Sequence, residues 1–249
     1  MSIKTKSQER RRILELGESL RENPGTILLS VPIFFFGYLF YSIIGDKEGV
    51  AGSLGHCGIT FKNYYKHYWK QDFLLKIAYR LYDKSAQYAT GEGKVSTIHH
   101  AGQVALELGD VELAEKRYKE ALSEARRLKL VNIEAYVIDH MAQLEIERGN
   151  YELAKEYLDG AYNILSKAVK KEPKSMYLHI WLSSVEINTA NYWLAVGDKN
   201  KARIWAKHAQ KRADKYDLKM RKKDVKKIMD KLVSAGVALV LPVYGVLFS

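Results

Sequence analysis

The sequence predicts an all-α protein built from repeated pairs of helices. Three stretches share one pattern, in which glycine is followed by Asp or Asn, three further residues and an alanine. A second alanine follows seven residues after the first, and apolar residues elsewhere recur at helical rather than strand spacing. The stretches begin at Gly109, Gly149 and Gly197, and their alanines are Ala114, Ala121, Ala154, Ala161, Ala202 and Ala209.

Each residue type in the pattern has a structural reason. Glycine ends a helix because it enters the left-handed conformation at low cost, and the Asp or Asn after it is a preferred helix cap. Alanines seven residues apart lie on one face of a helix, where a small side chain lets a partner helix approach. The pattern therefore predicts a tight turn followed by a closely packed second helix.

This pattern resembles the tetratricopeptide repeat, and the resemblance covers residues 94–214. It implies stacked helix pairs that bind another protein in a concave groove. The spacing departs from the family, because the three glycines are 40 and 48 residues apart whereas family repeats recur at about 34. An irregular helical bundle with similar turns is the alternative. Further matching positions are Gly102, Tyr118, Leu122, Leu158 and Trp193.

Composition limits the possible classes of protein. The chain has 249 residues, of which 47% are hydrophobic, so it holds enough apolar side chains for a sizeable core. It contains four prolines and no low-complexity tract, which argues against extensive disorder. The net charge is +11, and Cys57 is the single cysteine, so no disulfide forms within the chain.

An uncharged run of 20 residues, 26–45, predicts a transmembrane helix after a basic N-terminal segment, 1–25. At about 1.5 Å per residue such a helix spans the hydrocarbon core of a bilayer. A buried helix that packs on the repeats is the alternative. Residues 46–93 are predicted to be a connector, glycine-rich at first, followed by one or two leading helices below the first repeat.

The C-terminal run, 232–249, is also uncharged and predicts a membrane anchor, with a cap on the last repeat as the alternative. It follows a predicted basic helix, 215–231; residues 211–231 together hold ten Lys and Arg against four Asp. Basic residues beside an apolar run suit anionic lipid headgroups. The predicted lipid-contact residues, clustered on one helix face, are Lys222, Lys223, Lys226 and Lys227.

No motif predicts catalysis, a metal site or a bound cofactor. The seven histidines are scattered, and no paired-cysteine or His-Glu-x-x-His motif is present. Gly55-His56-Cys57-Gly58 is expected to be a flexible turn rather than a thiol site. The protein is therefore predicted not to be an enzyme. Binding of nucleic acid through the aromatic and basic stretch 61–70 or the basic stretch 211–231 is disfavoured, because the basic residues adjoin apolar runs.

These observations predict a membrane-anchored protein-interaction scaffold or adaptor. Two alternatives stay open: a structural or assembly subunit of a membrane complex, and a soluble solenoid that binds RNA. A weaker resemblance to membrane-anchored mitochondrial tetratricopeptide proteins, such as protease adaptors and complex III assembly factors, implies the mitochondrial inner membrane. By family resemblance the first helix of each pair lines the groove. Its predicted partner-binding residues are His100, Gln103, Asp139, Gln143, Asn188 and Asn191.

Overall fold

The computed structural model describes residues 3–22 and 25–237, and this part of the chain is helical without strands. The predicted all-α fold is confirmed for these residues. The helices are α1 (Ile3–Glu22), a short 3-10 helix (Ile27–Leu29), α2 (Ser30–Ile43), α3 (Lys47–His67), α4 (Asp72–Tyr88), α5 (Gly91–Glu107), α6 (Val111–Arg127), α7 (Val131–Glu147), α8 (Tyr151–Lys171), α9 (Met176–Ala195), α10 (Lys199–Lys215) and α11 (Lys219–Val237).

The chain forms two compact units, unit 1 (Met1–Ile133) and unit 2 (Glu134–Ser249). In unit 1, consecutive helices pack against each other from α1 to α6 through the contacts α1–α2, α2–α3, α3–α4, α4–α5 and α5–α6. In unit 2, α8 packs on α9, α9 on α10, and α11 on both α9 and α10. Each unit is thus a series of neighbouring antiparallel helices joined by short turns.

The three predicted glycine turns have the expected backbone conformation. Gly109, Gly149 and Gly197 have φ of 81°, 79° and 87°, the left-handed region that favours glycine. The side chains of Asp110 and Asp198 then accept the backbone N–H three residues on, at 3.0 and 2.9 Å. These contacts close the end of one helix and cap the next.

Asn150 occupies the equivalent position in the middle turn but does not cap α8 with its side chain. Its amide Nδ2 instead donates to Glu145 Oε2 at 2.7 Å, while its backbone N–H bonds to the Glu145 carbonyl at 2.9 Å. Glu145 is buried, so the amide provides a donor to a carboxylate that has left water. The cap predicted here is therefore replaced by a bond back into α7.

Two further turns have the same geometry without glycine. Lys129 and Asp217 have φ of 57° and 47°. The next backbone N–H groups, of Leu130 and Leu218, each donate to a carbonyl five residues earlier at 2.9 Å. These turns join α6 to α7 and α10 to α11, and the sequence pattern did not reveal them because neither contains glycine.

The alanines of the repeat pattern lie where the prediction places them. All six are completely buried on the second helices α6, α8 and α10. Further buried alanines lie on the same faces, which in α10 consist of alanine alone and in α6 and α8 also include Tyr118, Leu158 and Leu165. The additional alanines are Ala125, Ala168, Ala206 and Ala213.

In unit 1, three successive helix pairs each contain a close contact between a glycine of one helix and an aromatic ring of the other. A Cβ on Gly17 would lie 2.3 Å from Phe34, and one on Gly102 would lie 2.7 Å from Tyr118. The glycine is on the first helix and the ring on the second in both. In α3 and α4 the same relationship joins Gly58 to Tyr82, at 2.9 Å.

The predicted connector is therefore a helix pair of its own. The glycine-rich stretch at its start is the first half of α3, where Asp46 caps the helix by accepting the Gly49 N–H at 3.2 Å. Two glycines of α3 lie against aromatic rings: a Cβ on Gly49 would overlap the Tyr41 ring, and one on Gly58 would lie 2.9 Å from Tyr82. The expectation of a flexible turn at residues 55–58 is wrong, because these residues lie inside α3.

The uncharged run 26–45 does not form one continuous spanning helix. It divides into the 3-10 helix and the 14-residue α2, too short to cross a bilayer, which takes about 20 residues. Among residues 3–22 and 25–237, no helix combines the length and apolar character that a membrane crossing needs. α2 instead packs on α1 and α3. Its inward residues are Ser30, Phe34, Gly37 and Tyr41.

Most of the predicted basic N-terminal segment is the helix α1, which packs along α2 and α3. Arg21 at its C-terminal end donates to His56 Nδ1 of α3 at 2.9 Å, and the Phe34 ring stacks on His56 with centroids 5.2 Å apart. Burial and the Arg21 charge lower the pKa of His56 to about 3, so its ring stays neutral and accepts this bond. Specific contacts with α2 and α3 thus hold α1 in place within unit 1.

In unit 2, α9 is enclosed by its neighbours. Every residue from Leu182 to Ala190 is buried, including polar ones. α11 closes the unit through Val225, Ile228 and Leu232, which share a core cluster with alanines of α10. Leu232 thus begins the predicted C-terminal anchor inside a packed helix, and α11 ends at Val237; residues 238–249 of the predicted anchor lie outside the described part of the chain.

Candidate partner-binding site

In unit 1, three polar side chains of α3 and α5 are hydrogen-bonded to one another. α3 and α5 are the first helices of adjacent pairs, and we call the surface that these first helices form the first-helix surface. Gln103 Oε1 accepts from Lys62 Nζ at 2.7 Å and lies 2.9 Å from His100 Nδ1. Because a lysine ammonium only donates, the amide oxygen must face Lys62, and His100 therefore carries its proton on Nδ1. We call Lys62, His100 and Gln103 the α3–α5 polar patch; all three are half-buried.

The charge of this patch comes from Lys62. Burial, and next the Lys62 charge, lower the pKa of His100 to about 3, although the bond to Gln103 opposes the shift. The imidazole is therefore neutral near pH 7. It packs beside the Tyr82 ring, with centroids 5.3 Å apart. The patch thus combines one cation, an amide and a neutral ring, groups that recognise a carboxylate or a peptide backbone.

In unit 2, Asp139 and Asn188 are brought together but face inward. Asn188 Nδ2 donates to Asp139 Oδ1 at 3.0 Å. Asp139 is fully buried and Asn188 is 6% exposed. Neither side chain is open to a partner in this arrangement. The outcome differs from the expected groove surface because the bond between Asp139 of α7 and Asn188 of α9 lies in the interior of unit 2.

Burial also changes the chemistry of Asp139. It raises the pKa of this carboxyl to about 7, against the opposing effects of the bonds from Asn188 and Ser184 and of the Arg221 charge. A carboxyl with this pKa is partly protonated at neutral pH. Gln143 and Asn191 are half-buried on the same two helices. A partner-binding role for the six predicted groove residues stays a prediction.

A second buried network on α9 was missed at the sequence level. Glu186, 1% exposed, accepts two bonds from Arg212 of α10, at 2.9 Å from Nε and 2.7 Å from Nη2. Arg212 Nη1 lies 3.2 Å from His179 Nδ1, and His179 Nε2 lies 3.0 Å from the Pro173 carbonyl. The carbonyl only accepts, so His179 is protonated on Nε2 and accepts from Arg212.

This network holds α10 and the turn before α9 against α9. The Tyr216 ring stacks on His179 with centroids 3.6 Å apart. Arg212 is 26 residues from Glu186 and 33 residues from His179 in the sequence. Whether these side chains meet depends on how each helix is rotated about its axis, and the sequence pattern does not specify that rotation. The network joins helices and presents its buried groups to one another, which gives it a structural role.

The predicted lipid-contact lysines lie on the outer side of α11. Lys222 Nζ is 2.9 Å from Asp217 and 3.7 Å from Asp214, and Lys226 Nζ is 3.2 Å from Asp230. The bond to Asp217 raises the pKa of Lys222. Lys223 and Lys227 also have polar partners. Aspartates thus offset part of the positive charge on which the lipid prediction depends.

The described residues give no support for metal or thiol chemistry. In the described ranges, no group of three or more His, Cys, Asp and Glu side chains is placed to hold a metal ion. Cys57 is buried in α3, and burial raises the pKa of its thiol to about 12. A thiol with that pKa is protonated at neutral pH and is a poor nucleophile.

No protein-family model matches the chain, and no curated protein sequence matches it. Solved structures do. RapI in its apo form has a TM-score of 0.58 at 14% identity, covering 92% of this chain and 84% of its own. A Podosopora anserina protein assigned as a kinesin light chain, with nearly identical TPR-like repeats, has 0.54 at 13%, covering 82% and 95%. BtubC (BKLC) from P. vanneervenii has 0.50 at 15%, covering 87% and 93%.

These likenesses show the fold. The chain has a tetratricopeptide-like helical-repeat fold, as its glycine turns and alanine faces predicted. The predicted mitochondrial inner-membrane location and the absence of enzymatic activity therefore stay predictions.

Proposed function

We propose that this chain is a helical-repeat scaffold that binds a segment of another protein at the α3–α5 polar patch. The observation that carries the proposal is the joint bonding of Lys62 and His100 to one amide oxygen of Gln103. This arrangement holds three polar groups in fixed positions on the first-helix surface of adjacent pairs. Fixed groups lower the entropic cost of binding, since they need no reordering when the partner arrives.

The partner's chemistry follows from the patch. Lys62 supplies a cation, and a neutral His100 adds no second positive charge. Gln103 can turn its amide NH₂ toward a partner's carbonyl group while keeping its oxygen on Lys62. An extended segment with a carboxylate next to exposed backbone carbonyls satisfies these groups. We therefore expect an acidic peptide segment rather than a basic one.

Selection from a random peptide library tests this proposal with the full chain. Peptides retained by the protein should be enriched in Asp and Glu. Lys62→Glu should weaken their binding by about tenfold or more, because a hydrogen bond to a charged group is lost and a repulsion is gained. The matched control is Lys116→Glu, an exposed lysine on α6. Equal weakening by both variants, or peptides without acidic residues, would contradict the proposal.

The alternatives from the sequence give different results. An assembly subunit of a membrane complex should be degraded or insoluble without its partners, whereas a scaffold of this kind should be stable alone. An RNA-binding solenoid should retain RNA in a manner that weakens steeply with salt. Purification of the full chain followed by binding of peptides and of single-stranded RNA separates these classes. The mitochondrial inner membrane stays a prediction that imaging of the tagged full chain tests.

A further inference from the structure

α2 is apolar on two opposite faces, but α1 and α3 cover only one of them. Phe36 is 61% exposed and Ile43 is 84% exposed, although both are large and apolar. The exposed residues follow helical spacing along the 3-10 helix and α2, forming one continuous stripe about 24 Å long at 1.5 Å per residue. This outer stripe consists of Leu28, Leu29, Phe35, Phe36, Leu39 and Ile43.

Water is a poor environment for such a stripe. The solvent face of a surface helix is normally polar, and a helix apolar all round is normally covered all round. The outer stripe exposes roughly 600 Å² of apolar side chain, at the upper end of the largest patches on ordinary monomers. A patch of this kind marks an interaction surface. The nature of its partner follows from the polar groups around it.

The outer stripe offers little for specific protein recognition. Protein interfaces form about one hydrogen bond per 100–200 Å², so a patch of this size requires several polar groups. Ser42 is exposed beside the stripe, but its hydroxyl already donates to the Tyr38 carbonyl at 2.7 Å. Tyr38 itself is half-buried, with its ring 6.1 Å from Phe35. An apolar surface edged by an amphipathic tyrosine suits a membrane interface, where tyrosine is enriched.

Charge favours the same partner. Lys47 is exposed at the first residue of α3, between Asp46, which accepts the Gly49 N–H, and Glu48, which accepts the Thr90 N–H. Arg12 is exposed on α1, which packs along α2. The sequence of α1 contains six Lys and Arg against four Glu. Cations at the edge of an apolar helix face are attracted to anionic headgroups and strengthen interfacial binding.

We propose that the outer stripe of α2 lies in the interfacial layer of an anionic lipid bilayer without crossing it. The inner face of α2 stays packed on α1 and α3 while Phe35, Phe36 and Ile43 enter the boundary between headgroups and acyl chains. α2 has 14 residues and both ends of it continue into unit 1, so it lies parallel to the surface. This inference goes beyond the proposed scaffold function and does not depend on the α3–α5 polar patch.

Flotation of the full chain with preformed vesicles tests this proposal. The protein should float with phosphatidylcholine vesicles and bind several-fold more tightly when they contain phosphatidylserine. Phe36→Asp with Ile43→Asp should weaken binding to both kinds of vesicle by at least about a hundredfold, because two apolar side chains no longer leave water. Lys47→Glu should weaken only the binding that phosphatidylserine adds. Both α2 residues are exposed, so an unchanged circular dichroism spectrum is expected.

The matched control is Tyr177→Asp with Ile204→Asp, which replaces two exposed apolar residues of unit 2 and should leave flotation unchanged. Three results would overturn the proposal. The first is a wild-type chain that stays with the soluble fraction. The second is equal loss in both double variants. The third is a wild-type chain that binds no vesicles and is a dimer by light scattering, if Phe36→Asp with Ile43→Asp converts that dimer to a monomer. This result would assign the outer stripe to contact with a second copy of the chain.

Discussion

Gly102 of α5 lies so close to the Tyr118 ring of α6 that a Cβ on Gly102 would be 2.7 Å from Tyr118 Cε1. Tyr118 is completely buried, so its ring has little room to move. The contact fixes how closely the two helices of this pair approach. The same relationship in the two preceding pairs makes a glycine opposite an aromatic ring the rule of unit 1.

Gly102→Ala should therefore destabilise the protein despite alanine's higher helix propensity. The propensity gain is about 1 kcal/mol, and the overpacking cost is about 1–3 kcal/mol. Gly160→Ala is the matched control, because Gly160 lies in α8 and a Cβ there would meet nothing within 4 Å. Thermal unfolding should show a lower midpoint for the first variant and a higher one for the second. Equal midpoints would mean that the Gly102 contact is looser than described.

Lys129→Gly should stabilise the turn between α6 and α7. Lys129 has φ of 57°, a region that costs a non-glycine residue roughly 1–2 kcal/mol. Lys116→Gly provides the contrast, because the same change inside the exposed face of α6 should cost about 1 kcal/mol. The two variants should shift the urea midpoint in opposite directions. A lower midpoint for both would refute the strained turn.

Asp139→Asn should change how stability depends on pH. Burial raises the pKa of Asp139 from 3.8 to about 7 in the folded protein. Between these values the folded state binds more protons than the unfolded state, so this group lowers the free energy of unfolding as pH rises through the window. Asparagine cannot lose a proton but still accepts from Asn188.

Urea unfolding from pH 4 to pH 8 measures this effect. The stability of Asp139→Asn relative to wild type should rise across the window and level off above about pH 7. A constant difference between Asp139→Asn and wild type at every pH would contradict the raised pKa.

Arg212→Met should be strongly destabilising, by about 3–5 kcal/mol, because it leaves the buried Glu186 carboxylate without its cation. Adding Glu186→Gln should recover part of that loss, since the second change removes the unpaired charge. A double-mutant cycle by chemical denaturation measures the coupling, expected at about 1–3 kcal/mol. Strictly additive effects would show that the two side chains do not form the described pair.

The sequence predicted the parts of the fold that depend on local chemistry. Gly109 followed by Asp110 specifies a turn and a cap by itself, and Ala114 marks a close helix contact. The turn at Lys129 was missed because its left-handed conformation falls on a lysine, which gives no glycine signal in the sequence. The run 26–45 was interpreted as a span because hydropathy does not reveal that Phe34 packs inward while Phe36 points outward.

The candidate site was less predictable because it depends on helix phase. Gln103 and His100 lie on α5 as expected, but Lys62 comes from α3, which the sequence pattern did not identify as part of a helix pair. Asp139 was expected to face a partner, yet it bonds to Asn188 in the interior. Successive residues of a helix differ in direction by about 100°. An error of one residue in the predicted rotation of a helix therefore decides whether a side chain faces a partner or the interior.

We propose that a protein segment binds on the first-helix surface of unit 1. Photo-crosslinking of a library-selected peptide locates the binding surface, with benzoylphenylalanine replacing Glu107 of α5, one turn from Gln103, or Glu112 of α6. Both positions are exposed. The peptide should be captured from position 107 and not from position 112. Capture from position 112 alone, or equally from both, would contradict it.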